Sequence, residues 1–91
     1  MLSFIFDVYL APHNALYMKE IAKEAWNYTF SEQPSGDYVL SVVCGGVGVY
    51  EFVIRLTAVQ AAAYEREGIP YISRLADQVR HDQSPFAEQQ V

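Results

Sequence analysis

Apolar and polar positions alternate from Leu2 to Leu10, with Leu2, Phe4, Phe6, Val8 and Leu10 on one side and Ser3, Ile5, Asp7 and Tyr9 on the other. A period of two predicts a β-strand. Ala11-Pro12-His13-Asn14 breaks the alternation, because Pro12 restricts Ala11 to extended geometry and Asn14 suits a helix N-cap. Beyond it, Met18, Ile21, Ala22, Ala25 and Trp26 recur at intervals of three and four, while Lys19, Glu20, Lys23 and Glu24 fall on the opposite side. This spacing predicts an amphipathic helix with Trp26 in its apolar stripe. Ser31 to Asp37 is dense in turn-forming residues and reads as a loop.

Two runs rich in β-branched and aromatic residues follow, Tyr38–Cys44 and Val49–Leu56, with Gly45, Gly46 and Gly48 between them. This is the pattern of a β-hairpin. A two-residue turn at Gly45-Gly46 would pair Leu40 with Glu51, and a three-residue connection would pair Leu40 with Phe52. The second is preferred, since it collects Tyr38, Leu40, Val42, Tyr50, Phe52, Ile54 and Leu56 on one wholly apolar face. The other face then holds Val39, Ser41, Val43, Val49, Glu51, Val53 and Arg55, joined by Ile5 and Tyr9 of the first strand. Half of that outer face is apolar, which is more than a surface facing water needs.

Thr57 followed three residues later by Gln60 has capping-box spacing and predicts a helix ending at Gly68. Pro70 then suits a first helical turn, and Ile72, Leu75, Ala76 and Val79 form the stripe of a further helix. The expected fold is α+β: a small three-stranded, mainly antiparallel sheet with three helices on one face, in the order β-α-β-β-α-α. Residues 1–83 form the single domain, and 84–91 a loosely ordered tail.

The chain has 91 residues, of which 52% are hydrophobic, 14% aromatic and 19% charged, a composition that folds rather than stays disordered. Its formal net charge of −5 is spread along the chain with no basic patch, so nucleic acid and anionic membranes are not expected partners, whereas a basic protein is. The apolar start lacks a positive leader and is interrupted by Asp7, so it does not read as an export signal. No segment has the uncharged length of a membrane span, because Glu51 and Arg55 interrupt the longest apolar run. With a single cysteine, Cys44, these features point to the cytoplasm.

Motifs with chemistry are few. Cys44-Gly45-Gly46-Val47-Gly48 superficially resembles a phosphate-cradling loop, but it leads into a strand rather than a helix, so a hairpin turn explains it. Cys44 would need a nearby base to act as a nucleophile. The two histidines, His13 and His81, lie in separate segments, and with Asp7 and Asp82 they lack metal-ligand spacing. No cofactor, metal or catalytic residue is therefore assigned.

The sequence expectation is a non-catalytic cytoplasmic protein-interaction domain that self-associates, as a dimer, through the open sheet face or an edge strand. Ile5, Tyr9, Val39, Val43, Val49, Glu51, Val53 and Arg55 are its interface residues. Two alternatives remain: an acidic inhibitor or immunity-type protein that neutralises a basic target, and a small-molecule-binding or thiol-dependent enzyme using the turn at Cys44, Gly45, Gly46 and Gly48.

Overall fold

The computed structural model describes residues 18–91. Four strands, β1 (Lys19–Glu24), β2 (Tyr28–Glu32), β3 (Tyr38–Cys44) and β4 (Tyr50–Arg55), form an antiparallel meander in that order. Helices α1 (Ala58–Glu67) and α2 (Ile69–His81) follow, and a 3-10 helix spans Ser84–Gln89. The α+β class stands, but the sheet has four strands among the described residues rather than the expected three. The expected first strand, with Ile5 and Tyr9, and the Pro12 break lie outside the described residues.

The largest correction falls on Met18–Trp26, where a helix was expected and a hairpin forms. Glu24 pairs with Tyr28 across the turn Ala25-Trp26-Asn27, and Ala22 pairs with Phe30. The register shifts between Glu20 and Ala22, so Ile21 is bulged and the strand loses the strict period of two that would identify it. Tyr28 and Phe30, both buried, lie opposite Val42 and Leu40 on β3 and draw the segment into the sheet. That burial outweighs the helix propensity of lysine, glutamate and alanine, which amounts to only tenths of a kcal/mol per residue.

The β3–β4 hairpin has the expected faces in a different register. Leu40 pairs with Ile54 and Val42 with Phe52, and Cys44 with Tyr50 closes the ladder, so the connection is Gly45–Val49 rather than three residues. The slip is by two positions, which preserves which side chains share a face. Gly45 begins the connection at φ 103, where a Cβ would stand 1.9 Å from the Gly48 carbonyl oxygen.

Tyr28, Phe30, Leu40, Val42, Cys44, Phe52, Ile54 and Leu56 form the inner sheet face and share one core with Ile72, Leu75, Ala76 and Val79 of α2 and with Phe86. Tyr38 is half-buried at its rim, and Tyr50, although 48% exposed, keeps to the helix side, where its hydroxyl donates to Gln83 Oε1 at 3.4 Å. Tyr38, Phe30 and Tyr64 of α1 pack as an aromatic trio with centroids 4.7–5.4 Å apart. The predicted capping box is present: the Thr57 hydroxyl accepts from the Gln60 amide, and the Gln60 side chain accepts from the Thr57 amide. From Ser84, where a loose tail is expected, Phe86 is buried in the core and the Val91 amide donates to the Val53 carbonyl at 3.0 Å.

Candidate protein-binding face

Strand alternation places Lys23, Thr29, Ser41, Val43, Glu51, Val53 and Arg55 on the outer face, away from the α2 core. The face is uneven. Val39 and Ser31, paired at the end nearer the β2–β3 turn, are buried at 5% and 7% exposure, although neither belongs to the α2 core. Val43 and Val53 are half-buried, while Glu51, Arg55 and Val49 are exposed, Val49 lying in the connection rather than on a strand. Of the expected interface, the structure therefore brings Val43, Val49 and Glu51 to one open end, leaves Val53 in mid-strand, and buries Val39.

That open end is a groove of about 510 Å³, lined by Lys23, Thr29, Ser41, Val43 and Glu51, with Trp26, Val49 and Tyr50 at its rim. The β1–β2 and β3–β4 turns both lie at this end, because the meander reverses direction at every turn. Trp26, expected in the core, is 83% exposed. It has φ 64, the only positive value at a described non-glycine residue, in a turn closed by the Asn27 amide donating to the Glu24 carbonyl at 2.9 Å. Glycine or asparagine ordinarily occupies this region; for a bulky side chain it is strained by on the order of 1–3 kcal/mol and persists only when the surroundings hold it.

Arg80 of α2 supplies part of that hold. Its Nε donates to the Val43 carbonyl at 3.0 Å, its Nη2 donates to the Asn27 carbonyl at 3.2 Å and to Asn27 Oδ1, and its Nη1 donates to Asp77 at 2.9 Å. Asn27 Nδ2 in turn donates to Glu24 Oε1 at 2.7 Å, and the Val43 amide donates to the Asn27 carbonyl at 2.8 Å. One guanidinium thus joins the helix layer to the turn that carries Trp26. Sequence reading missed this role because the partners lie 37 and 53 residues away.

Charges near the groove are sparsely paired. Ser41 donates to Glu51 Oε1 at 2.5 Å. Among the described residues, the ion pairs join Arg55 to Asp37, Arg66 and Arg74 to Glu67, and Arg80 to Asp77, and none includes Lys23, Glu24 or Glu51.

Cys44 points the other way. Its thiol is buried on the inner face, donating to the Val42 carbonyl at 3.5 Å, and Gln83 Nε2 lies 3.8 Å from it. Burial pushes its pKa up despite the opposing charge of Arg80, so the reactive thiolate is disfavoured. Gly45, Gly46 and Gly48 shape the connection without bringing the thiol to the groove. His13 and Asp7 lie outside the described residues, and no group of three or more metal-ligating side chains occurs among the described ones.

The sheet edges differ from the face. β4 is covered where Gln90 bridges to Ile54 and Gln89 Nε2 donates to the Arg55 carbonyl at 3.1 Å. β1 carries Lys19, Glu20, Lys23 and Glu24 and a bulge, features that discourage another strand from adding. Comparisons with known protein families, curated proteins and solved structures find no match. No helix among the described residues is long and apolar enough to cross a membrane.

Proposed function

We propose that the chain is a non-catalytic protein-interaction domain that binds through the turn end of its outer sheet face, a second copy of itself being the partner. The observation that carries this reading is Trp26: a large, rigid aromatic side chain, 83% exposed in a strained backbone conformation, beside a groove with Val43, Val49 and Tyr50. Exposed aromatic anchors next to apolar grooves are the usual centres of protein interfaces. The covered β4 edge and the charged, bulged β1 favour the face over strand addition. A reducing, cytoplasmic setting suits the single buried thiol.

Light scattering at micromolar concentration tests the reading. The wild type should be a dimer, and Trp26→Ala or Val49→Glu should yield monomers that keep the fold by circular dichroism and whose melting temperature no longer depends on protein concentration, since both side chains are exposed. A wild type that stays monomeric counts against self-association. The acidic-inhibitor reading retains one supporting observation, the carboxylates Glu24 and Glu51 beside Trp26, which are in no ion pair among the described residues, in a chain of net charge −5. It requires a basic target whose binding weakens steeply with salt.

A further inference from the structure

The open face carries complementary groups on its two halves. Lys23 and the Trp26 turn belong to the β1 side, whereas Glu51 and Val49 belong to the β4 side, and all border the same groove. Across the sheet, Lys23 shares a row with Thr29, Ser41 and Val53, and Glu51 pairs with Val43 in the next outward-facing row towards the turns. Two such sheets can be related by a twofold axis that runs along the strands between β2 and β3, splayed so that the turn ends approach while the ends carrying the buried Val39 and Ser31 stand apart. That operation lays β1 of each copy over β4 of the other while keeping the turn ends together.

We propose that the domain pairs with a second copy in this arrangement, with each Trp26 seated on the partner's Val49 and each Lys23 paired with the partner's Glu51. The proposal rests on the outer-face reading and adds its symmetry and pairing. A twofold contact requires a patch that complements itself, with residue i meeting j and j meeting i. This face satisfies that requirement twice, by shape and apolarity through Trp26 and by charge through Lys23 and Glu51. Both charged groups are exposed and free of ion pairs among the described residues. The splay confines the contact to the open end and leaves the buried Val39 and Ser31 outside it.

A charge exchange distinguishes this pairing from other dimers. In sedimentation equilibrium, Lys23→Glu and Glu51→Lys should each raise the dimer dissociation constant by about five- to thirtyfold, because each change acts twice across the axis. The double variant, restored to net −5, should return close to the wild-type value. The singles move the net charge in opposite directions, so shifts of opposite sign would mean only general repulsion and would overturn the pairing. A wild-type dimer indifferent to all three variants would also overturn it while leaving outer-face association standing. A wild type monomeric at several hundred micromolar would overturn both. Circular dichroism of each variant checks that the fold is kept.

Discussion

Removing the Arg80 guanidinium while keeping an apolar stem, as in Arg80→Met, isolates the bond between the helix layer and the Trp26 turn. Arg80 reaches the Val43 carbonyl and both oxygens of Asn27 from a side chain that is 34% exposed. Hydrogen bonds from a charged donor contribute about 1.5–3 kcal/mol each when buried, but two effects reduce the sum here. Water can reach part of the site, and the Asn27 carbonyl keeps the Val43 amide as a partner. The pair with Asp77, whose side chain is 73% exposed, contributes at most about 1 kcal/mol. A loss of about 2–3 kcal/mol follows, a sizeable share of the roughly 5–14 kcal/mol available to a domain of this length. Urea unfolding followed by circular dichroism should show it, with Asp77→Asn as a control within about 0.5 kcal/mol of wild type. Amide exchange at Val43 should accelerate in Arg80→Met by more than global destabilisation accounts for. A stability change below about 0.5 kcal/mol, or protection at Val43 left unchanged, would refute the role given to Arg80.

Three further outcomes follow from the fold. Gly45→Ala should destabilise by at least about 1–3 kcal/mol, because φ 103 and the Gly48 carbonyl oxygen both exclude a Cβ, whereas Gly46→Ala, with open space around it, should be near neutral in the same urea titration. Phe30→Ala removes the fully buried centre of the aromatic trio and should cost about 3–5 kcal/mol in calorimetry, so a loss under 1 kcal/mol would contradict the packing described. Alkali should weaken the fold. Burial raises the pKa of Cys44 above its ordinary 9.0, and burial followed by the hydrogen bond to Glu65 raises that of Tyr38 above 10.0. The folded state therefore holds these protons more tightly than the unfolded chain. Stability is full below the unfolded values and is lost as pH rises from them through the folded ones. Unfolding midpoints should thus decline from about pH 9 upwards, less so in Cys44→Ala and Tyr38→Phe; a midpoint that rises with pH there would be the opposite of the expected sign.

The parts of the fold legible in the sequence are those written in local signals. Thr57 and Gln60 mark the start of α1 within one turn, and Ile72, Leu75, Ala76 and Val79 mark the buried stripe of α2. The hairpin faces were legible because a slip of two positions preserves parity, while its register was not, because the glycines allow several loop lengths and the chain uses Gly45–Val49. The β1–β2 hairpin was hidden by the bulge at Ile21, which leaves apolar positions at helix-like intervals. A signal was nonetheless available: Tyr28 and Phe30 alternate with Thr29 and Ser31 immediately after Asn27. At the candidate site, alternation puts Val43 and Glu51 on the outer face, whereas Val49 lies in the connection. Helix-like spacing puts Trp26 in a core stripe, where the structure has it exposed, and Arg80 acts through contacts distant in sequence.

Trp26 is the only tryptophan in the chain, so its fluorescence reports on the proposed contact without a label. The most direct measurement is acrylamide quenching of that emission as protein concentration rises from nanomolar to hundreds of micromolar. Burial against a second copy predicts a blue-shifted emission and a falling quenching constant along a dimerisation curve. A quenching constant that stays at the value of an open tryptophan across the whole range would contradict the account.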